Sequence, residues 1–265
     1  MKRNTRTWKL LAICIAVILG VCISPSNQRS YGNTTIDIDS LCNNTKIIGK
    51  IDDTTEEIII DCNNAIYNYF CNINIDVSYD LNNLNNYVFL YRENDVDGDV
   101  MLLGYYDSAC NIYINECLLD DIDCLKFTYI HEVMHYLGFI DSETTMIMEG
   151  MADAITEDIL GYYYEDSYDV PRGLCHQIII SNPDVITFIL NGGDLDDSID
   201  SRLDNLYSVP SYTLDYELDK IEYEELDDYT YDEYVKNCQE IISSYCETFD
   251  LTDDQYEEIE EYKFF

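Results

Sequence analysis

The sequence predicts an α+β fold: a short β-rich N-terminal part with an edge strand, then a helical core, then acidic C-terminal helices. Three observations carry that prediction. Residues 31–120 are rich in Ile, Val, Tyr and Asn in short alternating stretches, the period of half-buried strands. After Asp120 the period changes, with Ile122, Leu125, Tyr129, Val133 and Leu137 at helical spacing. From Ser211 onward the chain is acidic and tyrosine-rich, and "YDEYVKNCQEIISSYCETF" keeps helical spacing.

The first segment stands apart. Lys2, Arg3, Arg6 and Lys9 precede an apolar run from Leu10 to Ile23, which ends at "SPSNQRS". A basic stretch, an apolar stretch of this length and small residues after it form a signal-peptide pattern. The run falls short of the ~20 apolar residues that span a bilayer, so a cleaved signal is expected over a retained anchor. "LGVC" is a poor lipoprotein box because Val21 sits where a small residue is wanted. Residues 1–26 are therefore expected to direct the chain out of the cytoplasm, to a secreted or extracytoplasmic location. If they are kept, they supply its one attachment to a membrane.

Residues 31–265 form one expected domain, β-rich over 31–120, helical over 121–190 and acidic-helical over 191–265. "YVFLYR" (87–92), "VMLLGYY" (100–106) and "NIYIN" (111–115) read as strands. "ENDVDGD" between the first two carries Asp95, Asp97 and Asp99. It fails as a calcium loop, because Val100 replaces the turn glycine and Tyr106 the bidentate glutamate. The Asp-Gly step makes a polar hairpin turn the better reading. Asp120 or Asp121 caps the helix that follows, and Gly138 stops it. "DSETT" is a polar loop, and "MIMEGMADAITEDIL" resumes helical character. "SYDVPRG" breaks the chain again, "LCHQIIISNPDVITFIL" is apolar, and "NGGD" ends that segment.

Composition excludes some classes of function. The chain has 265 residues and a formal charge of −39, from 53 acidic and 14 basic residues. Such a chain repels a phosphate backbone, so no nucleic-acid partner is expected. Docking on an anionic membrane surface is disfavoured for the same reason, and the charge reads as a strongly solvated exterior. Of eleven cysteines, Cys14 and Cys22 lie in the apolar run. The other nine could form up to four disulfides in an exported chain. No C-x-x-C pair occurs.

The chemistry concentrates in "YIHEVMHYLGFIDSETTMIMEGMADAITED", Tyr129 to Asp158. It holds His131 and His135, two of the three histidines in the chain. Four residues along a helix rise ~6 Å and rotate ~40°, so both rings leave one face, a turn apart. Two imidazoles so placed reach one ion, and Glu132 between them reaches a water beside it. That is the content of H-E-x-x-H, two ligands and a general base.

"HEVMHYLGF" followed by "EGMADAITE" resembles the gluzincin branch of zinc metallopeptidases, over about thirty residues of the chain. The resemblance implies one Zn²⁺ per chain, Glu132 as catalytic base, and peptide or protein substrates cut by attack of activated water. Endopeptidase action is the default expectation. In gluzincins a second helix carries E-x-x-x-D/E, and its first glutamate is the third zinc ligand. Carried over, Glu149 is that ligand and Asp153 orients a ligand histidine. Thirteen residues separate His135 from Glu149, fewer than in many gluzincins.

Geometry favours the same choice. His135 lies about a turn before Gly138, and Glu149 about a turn after an N-cap at Ser142, Thr144 or Thr145. Antiparallel helices joined by that short loop bring the two level. The alternative third ligand is Asp141, because "HEVMHYLGFID" also resembles the metzincin form H-E-x-x-H-x-x-G-x-x-D, with Met146 or Met148 as the Met-turn. That alternative leaves "EGMADAITE" without a role. Candidate oxyanion donors are Tyr168, His176 and Tyr162 to Tyr164, and "NIYIN" is the candidate edge strand for substrate pairing. The rival expectation is an exported, disulfide-braced binding or structural protein with a vestigial or structural metal site.

Overall fold

A computed structural model describes residues 45–78, 80–81, 88–93, 103–106, 111–139, 146–164, 168–203, 214, 218, 221 and 228–264. The expected signal segment 1–26, the acidic turn at Asp95, Asp97 and Asp99, and Asp141 lie outside them. The described chain divides into two compact units, residues 45–133 with 159–164, and residues 134–158 with 168–264. The division passes within two helices, each of which is continuous across it.

The first unit is mixed. Strands β1 (Thr45–Lys50), β2 (Val88–Glu93), β3 (Gly104–Tyr106) and β4 (Ile112–Asn115) form a sheet in the order β1-β2-β4-β3. β1 and β2 are antiparallel, β2 and β4 parallel, and β3 and β4 antiparallel. Stacked aromatic rings run across three of these strands: Tyr113 lies against Phe89 of β2 at 5.5 Å and against Tyr105 of β3 at 4.5 Å. Both are directly opposite Tyr113 in register, the position where cross-strand pairs stabilise a sheet.

Two expectations are corrected here. "NIYIN" is an inner strand, paired on both sides, and among the described residues the edge on its side of the sheet is β3. β2 and β3 are not neighbours, so the acidic segment between them does not join a hairpin of those two strands. The β-rich part also contains a 20-residue helix, α1 (Asp53–Asn72). Its signals were in the sequence: Asp52 accepts from Thr55 N at 2.8 Å as N-cap, and Ile59, Cys62, Ile66 and Phe70 bury one face.

Helix α2 (Ile122–Leu137) begins after a short 3-10 turn, Glu116–Asp120. Asp121, one of the two expected caps, accepts from Cys124 N at 3.1 Å. Tyr129 is fully buried and donates its hydroxyl to Asn63 Oδ1 at 2.8 Å, tying α2 to α1. Gly138 ends the helix with φ of +126°, a conformation that favours glycine.

The second unit is helical. It takes up the end of α2 and most of α3 (Met146–Leu160), then α4 (Asp169–Ser181), α5 (Asp184–Leu190), α6 (Leu195–Leu203), α7 (Asp228–Cys246) and α8 (Asp253–Glu261). Its core draws on Met151, Ile155, Leu174, Ile178, Val185, Val235, Ile242 and Tyr245. Gln177 of α4 and Gln239 of α7 exchange reciprocal amide hydrogen bonds of 3.1 and 2.7 Å. α8 starts with a capping box, Thr252 with Gln255, and Gln255 Nε2 also donates to Ile180 O at 2.7 Å. Among the described residues no single helix is long and apolar enough to cross a membrane. α4 and α5 pass on length and composition together, but are bent by 108°.

Candidate metal centre

His131 and His135 lie on α2, and Glu149 in the first turn of α3. One ligand atom from each lies within 4.8 Å of the other two, so the three form a group that could hold a metal ion. Bonds of ~2.1 Å in a tetrahedral site place ligand atoms ~3.4 Å apart. His135 Nε2 and Glu149 Oε2, at 3.3 Å, already have that separation.

The donor set fits a cation for a second reason. His135 Nδ1 lies 2.8 Å from the Phe139 carbonyl, which can only accept, so Nδ1 carries the proton. In the neutral ring Nε2 then presents a lone pair to a carboxylate oxygen. That lone pair and the Glu149 oxygen are placed to share one cation. The helix stop makes this arrangement. Gly138 turns the chain and Phe139 N bonds back to Met134 O at 3.1 Å, which sets the Phe139 carbonyl where it orients the His135 ring. Sequence reasoning read Gly138 as a terminator and missed the carbonyl that follows it.

Burial is complete: His131 is 4% exposed, Glu132 0%, His135 2% and Glu149 1%. A carboxylate in such surroundings is costly unless paired or ligating. Glu132 lies under the sheet edge. A Cβ on Gly104 would stand 3.2 Å from Glu132 Oε1 and 2.6 Å from Thr128 Cγ2, so the β3 backbone runs directly over this side chain. Gly104 carried no signal in the sequence, because the approach is set by strand order.

α3 is seated against α4 at the same level. A Cβ on Gly150 would meet the Pro171 carbonyl carbon at 2.3 Å, so the glycine of "EGMAD" is required by helix contact. Asp153 is buried and accepts the Tyr168 backbone N–H at 3.1 Å. Met146 and Met148 are buried within α3, in helix and not in a turn.

The other candidates are brought elsewhere. His176 meets Glu157 Oε2 at 2.8 Å and stacks on Tyr262 at 4.2 Å. Glu157 is two helical turns beyond Glu149, a rise of ~12 Å. It is engaged by Arg172 as well. Tyr162 donates to the Asp123 carbonyl at 3.3 Å and Tyr164 to Asp121 Oδ2 at 3.2 Å, both at the start of α2. Burial and the nearby Asp123 push the Tyr162 phenol up to about 12, and burial raises that of Tyr164 as well. Among the described cysteines, Cys62, Cys71, Cys175 and Cys246 are thiols, not disulfides. Cys175 donates to Ile147 O at 3.1 Å, and burial raises its pKa well above the usual thiol value.

Compared with protein-family models, with curated proteins and with solved structures, the chain finds no match.

Proposed function

We propose that this chain is an exported zinc-dependent metallopeptidase of gluzincin type. The observation that carries the reading is the convergence of His131, His135 and Glu149 with Glu132 next to the first histidine. Two imidazoles and one carboxylate suit Zn²⁺ and leave a fourth position for water, the donor count of catalytic zinc sites. When bound there, Zn²⁺ supplies Lewis-acid polarisation of a carbonyl and lowers the pKa of water to about 7. Glu132 takes the proton from the attacking water and passes it to the leaving amine. Asp153 and the Phe139 carbonyl keep the ligands oriented. A peptide pairs along the outer edge of β3, whose backbone overlies Glu132. Tyr168, at the start of α4, is the remaining oxyanion-donor candidate. Residues 1–26 provide export.

A second reading, a structural metal site, draws on the full burial of all four residues. One set of measurements separates the two. Zinc content is determined on wild type and on His131→Ala, His135→Ala, Glu149→Ala and Asp141→Ala, and hydrolysis of a general protein substrate on wild type and Glu132→Gln. The proposal expects about one Zn²⁺ per chain, lost in all but the Asp141 variant, and hydrolysis abolished in Glu132→Gln with zinc retained. Zinc without any hydrolysis supports the structural site. Metal kept by Glu149→Ala and lost by Asp141→Ala reverses the choice of third ligand.

A further inference from the structure

Helix α3 carries carboxylates four residues apart, at Glu149, Asp153 and Glu157, so they climb one face at one per turn. Helix α4 answers with the same spacing, at Tyr168, Arg172 and His176. The rungs meet. Asp153 Oδ2 accepts the Tyr168 N–H at 3.1 Å. Glu157 Oε2 accepts from Arg172 Nη1, and from His176 Nε2 at 2.8 Å. Asp169 Oδ1 lies 3.8 Å from Arg172 Nη2, and Asp158 Oδ1 lies 3.8 Å from His176 Nδ1. Tyr262 stacks on the His176 ring.

These contacts hold α3 at two heights. Near Glu149 the helices touch through backbone, Gly150 against Pro171. Two turns on, a carboxylate is gripped by a guanidinium and an imidazole, and charge-assisted bonds of this kind are the strong ones. The rung is shielded, with Arg172 16% and Glu157 22% exposed at the side chain, so solvent weakens it less than a surface pair. One point of contact lets a helix rock or slide; a second, ~10 Å along, removes that freedom. The Glu149 carboxylate gains most from the restraint, since metal bonds hold within about 0.2 Å.

We infer that Glu157, Arg172 and His176 are positioning residues for the Glu149 carboxylate, acting through the register of α3 on α4; the inference rests on the metal reading above. None of the three belongs to the ligand cluster, and their effect is on the affinity and geometry of the site.

The test compares full-length wild type with Glu157→Ala, His176→Gln and, as a control in the same unit, Thr252→Ala. Zn²⁺ affinity is read by competition with a chromophoric chelator, coordination geometry by the visible absorption of the Co²⁺-loaded protein, and folding by circular dichroism. Glu157→Ala and His176→Gln are expected to bind Zn²⁺ about tenfold more weakly, with altered Co²⁺ bands. Thr252→Ala loses stability and keeps both readouts. If Glu157→Ala does not fold, Glu157→Gln replaces it, keeping the volume and removing the charge. Folded variants with wild-type affinity and wild-type Co²⁺ bands overturn the inference and leave the trio as a brace. Wild type that binds neither ion removes the metal reading, and this inference with it.

Discussion

Gly150→Ala sets two effects of opposite sign against each other. In an exposed helix interior, alanine in place of glycine stabilises by about 1 kcal/mol. Here the new Cβ falls 2.3 Å from the Pro171 carbonyl carbon and 2.6 Å from its oxygen and Cβ. Carbon atoms rest at about 3.5–4.0 Å, so the gap is short by more than an ångström. The obstacle is backbone, which cannot rotate away, and α3 and α4 must separate. Overpacking of this kind costs about 1–3 kcal/mol, and a rigid obstacle puts it at the top of that range. The clash wins, with a net loss of about 2 kcal/mol, or roughly 4–8 °C in Tm for a chain of this size. The assay is urea and thermal unfolding followed by circular dichroism, with chelator present so that metal binding does not mask the change. On the proposed metal reading, weaker Zn²⁺ binding accompanies the loss, because Glu149 precedes the displaced residue. An alanine variant as stable as wild type, or more stable, refutes the close approach of these helices.

Four further outcomes are expected. Gly104→Ala drives a methyl to within 2.6 Å of Thr128 Cγ2 and costs about 1–3 kcal/mol. Gly104→Ala with Thr128→Ser, which removes that carbon, recovers most of the loss, and a double-mutant cycle by urea unfolding reads the coupling. Burial pushes the Cys62 thiol up to about 12 from 9.0, so the unfolded chain releases this proton first. The stability it confers is whole below pH 9 and falls as pH rises towards 12, by about 4 kcal/mol in all. Cys62→Ala flattens that part of the pH profile in chemical denaturation. In the native protein iodoacetamide at pH 8 labels exposed Cys71, while buried Cys62 and Cys175 react only on unfolding, as read by peptide mass mapping. Thr252→Ala breaks the α8 capping box and lowers stability by about 1 kcal/mol in urea unfolding.

What could be read from the sequence alone was local. His131, Glu132 and His135 share a helix face because four residues make nearly one turn, whatever surrounds them. Asp121 and Gly138 bound that helix by their own backbone and side-chain chemistry. The cap at Asp52 and the spacing of Ile59, Cys62, Ile66 and Phe70 were equally local. The β-branched composition around that helix masks its signals.

The rest was decided by tertiary structure. Strand order belongs to this class: "NIYIN" alternates like an edge strand, but Tyr113 stacks on rings from both neighbours, and that pairing puts β4 inside, with β3 at the rim among the described strands. So do the meeting of Glu149 with His135, the passage of Gly104 over Glu132 and the ladder from Asp153 and Glu157 to Tyr168, Arg172 and His176. Each joins residues whose separation along the chain says nothing of their separation in space. Their distances follow from how whole faces pack, a property of many side chains at once.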